Sequence, residues 1–341
     1  MGYIYTKSGK LAKRLYFGAV LLFEGLYYTF KNRVLADGGT FVENELPTIS
    51  QDASLVLTPN AYKAGKLYSA VPNDGTGDFT VDRNSTAPYI DEDGLIKTAL
   101  ANVPRIEAGA ILTEPQAINL LSYSENFSNA YWDKIKTTIT TNAIISPDGT
   151  LNADKLVEDT ATGNHFIWRN IGTANGNTYT TTIFVKAAGR SKLALYGGGF
   201  ASDSAIFDLS TNTITNGANI ISSSITDYVN GWKRLSVTLT NRIRQVYIFL
   251  KDNNDSDSYI GDGSSGIYIY GAQVEEGTKA TSYIPTDGTT VTRLSDNISV
   301  PTPAGVTSIT ETKNGIDQTP ITTIPATYSL PVGNINKVKM L

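Results

Sequence analysis

The chain has 341 residues, with 28 Lys plus Arg against 32 Asp plus Glu, one histidine and no cysteine, for a net charge of −4. There is no basic excess to follow phosphates, which argues against a nucleic-acid partner. The missing cysteines exclude disulfides and thiolate metal sites, and a lone histidine, His165, excludes a multi-histidine metal site and limits nucleophilic chemistry. Carboxylate-pair hydrolysis, which needs only Asp and Glu, stays open. Tyrosine dominates the aromatics, and with abundant Thr, Ser and Asn this is the composition of a β protein that presents surfaces.

Residues 1–46 read as an anchoring segment. Lys7, Lys10, Lys13 and Arg14 precede LYFGAVLLFEGLYYTF, an order that resembles a signal peptide, but no A-x-A cleavage signal follows and Glu24 interrupts the run. From Leu15 to Phe30 is 16 residues with a charge inside, short of the ~20 apolar residues a membrane span needs. A buried strand or helix segment, or a surface docked on another chain, remains. The exposed-patch argument favours an intermolecular contact through Leu15, Phe17, Val20, Leu22, Phe23, Leu26 and Phe30.

Residues 47–118 read as an extended β-rich linker. Pro47, Pro59, Pro72 and Pro88 rule out long helices, and short strands are expected at Ser54–Thr58, Gly65–Val71 and Asp78–Asp82. Asn73-Asp74-Gly75 and Asp91–Gly94 read as turns. Residues 119–287 then carry about ten short runs rich in Ile, Val, Thr, Tyr and Phe, parted by Gly, Asn, Asp and Ser, the pattern of a two-sheet β-sandwich. They include Ile135–Ala143, Ala153–Asp159, His165–Ile171 and Tyr179–Ala188; in the last, Tyr179, Thr181, Ile183 and Val185 share one face. SAIFDLSTNTIT reads as a hairpin. Residues 288–341 are a Thr- and Pro-punctuated β tail, expected to wrap around a neighbour or add strands to it.

NLLSYSENFSNAYWDK, SPDGTLNADKLVEDTATGNHFI, TYTTTIFVKAAGRSKLALY, NGWKRLSVTLT and YIGDGSSGIYIYGAQVEEGTKATSYIPTDGTTVTR together resemble a carbohydrate-binding-module-like jelly roll of tailed-bacteriophage appendage proteins. GKLYSAVPNDGTGDFTVDRNST through LTEPQAINLL looks like the segment preceding that module in head-fibre proteins of Bacteroidetes phages. The resemblance implies a jelly-roll β-sandwich and a non-enzymatic virion protein on the particle surface. It further implies a homotrimeric head fibre or capsid decoration docking on capsid or tail proteins and able to adhere to host or mucosal glycans. A tail-fibre adhesin for host polysaccharide is one alternative. A polysaccharide depolymerase is the other.

The residues offer few catalytic candidates, and no catalytic residue is assigned. Glu275 and Glu276 are adjacent on a strand, so they point to opposite faces and cannot share a substrate. Gly261–Gly266 reads as a flexible hairpin loop between β runs rather than a phosphate cradle. Asp252, Asp255 and Asp257 are candidate ligands for the structural calcium that such jelly rolls often hold, although Asn and Asp also form turns; no other cofactor is expected. Trp132 and Trp232 are expected in packing. Trp168, Tyr196, Phe200, Tyr268 and Tyr270 are the candidate glycan contacts, with Tyr268 and Tyr270 on one face and Ile267 and Ile269 on the other. His165 is expected as a polar surface residue.

Overall fold

The computed structural model describes residues 19–42, 52–172, 176–198, 201–240 and 245–341, with side chains from residue 27 onward. It is 54% strand and 5% helix, in agreement with the mainly β, sandwich expectation. Contacts divide the chain into two units. One comprises Met1–Asn84, Leu100–Thr113 and Asp296–Leu341; the other comprises Ser85–Ala99 and Glu114–Ser295.

Twelve strands of the second unit build the sandwich: β1 (Asp133–Ile135), β2 (Thr137–Ile145), β3 (Leu151–Glu158), β4 (Phe166–Asn170), β5 (Thr178–Ala188), β6 (Lys192–Gly197), β7 (Ser204–Asp208), β8 (Thr213–Asn216), β9 (Ile220–Asp227), β10 (Lys233–Thr240), β11 (Gln245–Leu250) and β12 (Gly266–Glu276). The first sheet has the order β1-β4-β11-β6-β7-β8 and the second β2-β3-β12-β5-β10-β9. All neighbours within both are antiparallel. The run expected as one strand over Ile135–Ala143 is two. Lys136 has a left-handed φ of 50°, and at that corner the chain leaves the first sheet for the second.

The alternation of each strand sorts its side chains between two faces. Ile167, Leu193, Leu195, Phe207, Ile248 and Leu250 of the first sheet meet Leu156, Ile183, Val185, Leu235, Val237, Ile267 and Ile269 of the second, with Phe127 and Trp132 in the same cluster. Burying each such side chain is worth about 1.5–3 kcal/mol. Tyr179, Thr181, Ile183 and Val185 are buried together, as their alternation predicts.

The outer face of the second sheet is covered too. A hairpin of Ala87–Ile90 and Ile96–Ala99 and the segment after β12 enclose Ile96, Ala153, Phe184, Trp232, Tyr270 and Tyr283. Asn119 locks that segment in place. Its Nδ2 donates to the carbonyls of Ala272 (3.1 Å) and Ile284 (2.8 Å), and its Oδ1 accepts the N–H groups of Leu121 and Val274, both at 3.2 Å. Gln273 Oε1 accepts Ile284 N–H at 2.6 Å, and Glu275 accepts both the N–H (2.8 Å) and the hydroxyl (2.6 Å) of Thr281. The motif GAQVEEG…TSYIPT is therefore a clamp: its polar residues satisfy buried backbone groups of a segment that has no strand partner.

In the first unit the residues expected as linker and tail form one sheet. Its order is Ile316–Asp317, Ile309–Lys313, Gly333–Met340, Leu55–Lys63, Lys66–Val71, Phe79–Asp82, Asn297–Pro301 and Thr327–Ser329, with three short strands joined at its side. The tail thus adds its strands to its own chain: Leu55, Val56 and Leu57 pair with Met340, Lys339 and Val338. Asp296, fully buried, holds Arg83 at 2.8 Å and also contacts Arg105. The apolar N-terminal run lies within the helix Ala19–Ala36 over its described part. Phe30, expected in an intermolecular contact, instead packs with Val34 against Ala61, Tyr68 and Ala70 of its own unit. Arg33 anchors the helix by donating to Asp78 (2.8 and 3.0 Å) and to the Ser69 carbonyl (2.7 Å). Leu15 and Phe17 lie outside the described residues, as do the side chains of Val20, Leu22, Phe23 and Leu26. Among the described residues no helix is long and apolar enough to cross a membrane.

Candidate functional site

The other outer face of the sandwich, on the first sheet, is where aromatic side chains gather, with no strand of this unit over them among the described residues. Register fixes who stands there. Trp168 on β4 is opposite Tyr247 on β11, which is opposite Tyr196 on β6. One pair along, Phe166 is opposite Phe249, which is opposite Ala194. Their chain neighbours Ile167, Ile248 and Leu195 point into the core, so these rings must point out. The Trp168 and Tyr247 rings lie nearly parallel, 14° apart with centroids at 5.4 Å, and Tyr196 meets Tyr247 edge-on at 6.5 Å. Phe166 stacks on Phe249 at 4.2 Å. Trp168, Tyr247 and Phe166 are half-buried; Tyr196 and Phe249 are buried beneath the surface.

The row of rings ends in a charged cluster. The Tyr196 hydroxyl donates to Asp257, with 2.9 Å to each carboxylate oxygen. Asp257 Oδ1 also holds Lys251 Nζ at 2.6 Å, and the Lys251 side chain is only 3% exposed while that of Asp257 is 39% exposed. Burial, and next the Asp257 charge, push the Tyr196 phenol well above its usual range, so it stays a donor. Burial alone raises the Tyr247 phenol, whose hydroxyl donates to Gln245 Oε1 at 2.6 Å.

The other sequence candidates fall elsewhere. Tyr268 and Tyr270 do share a face, but it is the covered face of the second sheet. Tyr270 is buried there, with its hydroxyl 3.0 Å from both Glu125 and Asp148. Phe200 lies outside the described residues. Asp252, Asp255 and Asp257 do not converge on a common point. Asp252 caps its own turn by accepting the N–H groups of Asn254 and Ser256, Asp255 pairs with Lys192 at 2.9 Å, and Asp257 pairs with Lys251. Glu275 is buried in the clamp and Glu276 is exposed, on opposite faces as their adjacency requires.

His165, expected at the surface, is fully buried. Its ring packs on Tyr259 at 4.6 Å, and Nε2 lies 3.2 Å from Asp159 Oδ1. The loop 261–266 closes over it, because Asp262 fixes that loop: its Oδ1 accepts the N–H groups of Ser264 and Ser265, and its own N–H donates to the buried Glu158 at 2.9 Å. Gly261 and Gly266 permit the approach, since a Cβ on either would stand within 2 Å of a backbone carbonyl oxygen, of Asp159 and Leu156 respectively. Glu158 is saturated by Arg190 in a two-pronged pair (2.8 and 2.6 Å), Tyr259 (2.7 Å) and the Asp262 N–H. Burial would raise its pKa, but these bonds outweigh burial and hold the carboxyl below the usual range.

Tyr247, Phe249 and Lys251 were within reach of the sequence. RQVYIFLKD alternates just as HFIWRN does, with Tyr247, Phe249 and Lys251 opposite Val246, Ile248 and Leu250.

No family model matches the chain, and no curated protein matches it. Solved structures do. One is the paired CBM22-1 and GH10 modules of the endo-1,4-β-D-xylanase 10B of Clostridium thermocellum, complexed with xylohexaose. It is 11% identical, with a TM-score of 0.26 over 48% of this chain and 28% of that one. Another is a protein of Bacteroides thetaiotaomicron proposed to bind sugar, 12% identical, with a TM-score of 0.25 over 46% of this chain and 92% of that one. At these values the functional reading rests on the face itself.

Proposed function

We propose that the sandwich is a non-catalytic glycan-binding module carried by a structural protein of a tailed-bacteriophage particle. The observation that carries the binding half is the row Trp168–Tyr247–Tyr196, two half-buried rings and one buried one ending in hydrogen-bonding groups, on a sheet face over which no described strand of this unit lies. Ring faces bury the apolar C–H side of a pyranose, and the polar groups at the end of the row fix its orientation. Support for the particle half is the sequence resemblance to phage head-fibre modules. In this reading the protein is a homotrimeric head fibre or capsid decoration at the virion surface. Its N-terminal segment, ahead of Phe30, docks on capsid or tail proteins, and copy number turns weak adhesion into avidity. A receptor-binding tail fibre would use the same face. Selective binding of one host's surface polysaccharide would favour it over a broadly adhesive head fibre.

Two measurements test the proposal. On a glycan array, Trp168→Ala and Tyr247→Ala are each expected to weaken binding about tenfold or more while the protein stays folded by circular dichroism, because both rings stand on the outer face and leave the sandwich core intact. Binding that survives both substitutions would remove the face from consideration. Light scattering of the full chain is expected to give a mass three times that of the 36.7 kDa protomer; a monomer at micromolar concentration would refute the trimer.

A further inference from the structure

The charged end of the ring row decides what chemistry the face can accept. Lysine has three N–H donors and no acceptor. Lys251 has three partners: Asp257 Oδ1 at 2.6 Å, the Asp255 carbonyl at 3.1 Å and the Tyr196 hydroxyl at 3.4 Å. Lys192, the other lysine on this side of β6 and β11, is taken up by Asp255 at 2.9 Å, the Asn253 carbonyl at 3.1 Å and, more distantly, Asp208 at 3.9 Å. Both cations are thus paired within the protein, and the Asp257 carboxylate, at the end of the ring row, faces outward beside Asp255. Asp133, directly opposite Trp168 on β1, is exposed as well. Three carboxylates, Asp208, Asp255 and Asp257, surround the two lysines, and Asp133 stands at the other end of the row.

On the reading that this face binds glycans, we infer that Asp257 is its polar anchor, accepting hydrogen bonds from adjacent hydroxyls of a neutral sugar. Lys251 and Tyr196 are the positioning residues that hold it there. Three features combine to pre-organise the acceptor: a nearly fully buried lysine beneath it, a phenol donor beside it, and a row of rings leading to it. A carboxylate whose position is fixed in advance loses little rotamer freedom when a ligand arrives. Hydroxyls donate to it readily. A uronate or sulfate would bring a like charge to a spot where both described lysines, Lys251 and Lys192, are already paired with carboxylates.

The test uses the full chain, with xylohexaose, cellohexaose and mannohexaose as neutral probes and hexagalacturonate as the acidic one, by calorimetry at low and at 0.5 M salt. At least one neutral probe is expected to bind with an affinity that salt changes less than about twofold, and hexagalacturonate to bind at least about tenfold more weakly. Asp257→Asn is expected to lower neutral binding about tenfold or more. Tighter binding of hexagalacturonate, weakened by salt, would overturn the inference, as would a folded Asp257→Asn protein with unchanged affinity. The wild-type comparison stands even if Asp257→Asn does not fold. Two outcomes instead strike at the underlying reading: Trp168→Ala binding as well as the wild type, or no binding of any probe, which removes both. Loss on Trp168→Ala without loss on Asp257→Asn removes only the anchor.

Discussion

Replacing Asn119 with alanine is expected to destabilise the sandwich by about 3–5 kcal/mol. Asn119 is fully buried and uses all its hydrogen-bonding capacity on four backbone groups: two carbonyls, of Ala272 and Ile284, and two N–H groups, of Leu121 and Val274. Truncation strands them where water cannot reach, at about 1–3 kcal/mol for each buried group left without a partner. The losses do not simply add, since the segment after β12 can partly relax. Denaturant unfolding should show a lower midpoint, and thermal unfolding a fall of roughly 10 °C or more for a unit of this size. Asn119→Asp is the informative control. It keeps the acceptor oxygen but sets carboxylate against the Ala272 and Ile284 carbonyls, so it should not rescue. A change below about 1 kcal/mol would mean that the clamp contributes little.

The second large effect is expected at Arg190. Its guanidinium grips Glu158, a carboxylate with no side-chain exposure. Arg190→Ala leaves that charge buried with only the Tyr259 hydroxyl and the Asp262 N–H, at a cost of about 3–5 kcal/mol near neutral pH. The sign of the pH dependence follows from the bonds. In the wild type the Glu158 carboxyl is held below its unfolded value of about 4.3, so its contribution is complete above that value and fades as pH falls through the folded pKa. In the variant, burial dominates and the carboxyl takes up a proton more readily. The stability gap between the two proteins should therefore be widest at pH 7 and narrow towards pH 4. A gap independent of pH would show that the loss is one of packing between Arg190 and the Tyr259 ring, 4.8 Å away, rather than of charge.

How much of the fold and the face is legible in the sequence depends on the distance over which each feature is determined. Strand positions and inward faces are local. The alternation of Tyr179, Thr181, Ile183 and Val185 follows from residues within one run, while the packing of Trp132 and Trp232 is expected from the resemblance of NAYW and NGWKR to the module's motifs. Alternation does not say whether a face is covered. It puts Tyr268 and Tyr270 on one face, as the structure does, yet a hairpin some 170 residues earlier in the chain, at Ala87–Ile90 and Ile96–Ala99, roofs that face. The burial of His165 is hidden from its local sequence because it depends on the closing of the 261–266 loop, whose turn-rich residues suggest flexibility. Asp257 has the sequence setting of a calcium ligand because carboxylates cluster around it; its real partners, Tyr196 and Lys251, are brought to it by strand register and loop closure. The sheet of the first unit is least legible of all, since its central pairing joins residues 55–57 to residues 338–340.

That last pairing has a consequence for synthesis. Every strand of the sandwich has been made once residue 276 is out, and its clamp soon after, whereas one edge of the strand Leu55–Lys63 waits for Gly333–Met340, made later than the whole sandwich. Domains form as units while the chain is being made. The order of folding is thus the reverse of the order of the N-terminal strands: the inserted module can be complete while the earlier-made strands still have an open edge. During that interval the nascent chain presents Val56 and its neighbours to any passing strand, so speed of elongation from residue 277 to residue 340, rather than stability of the finished protein, sets how long that hazard lasts.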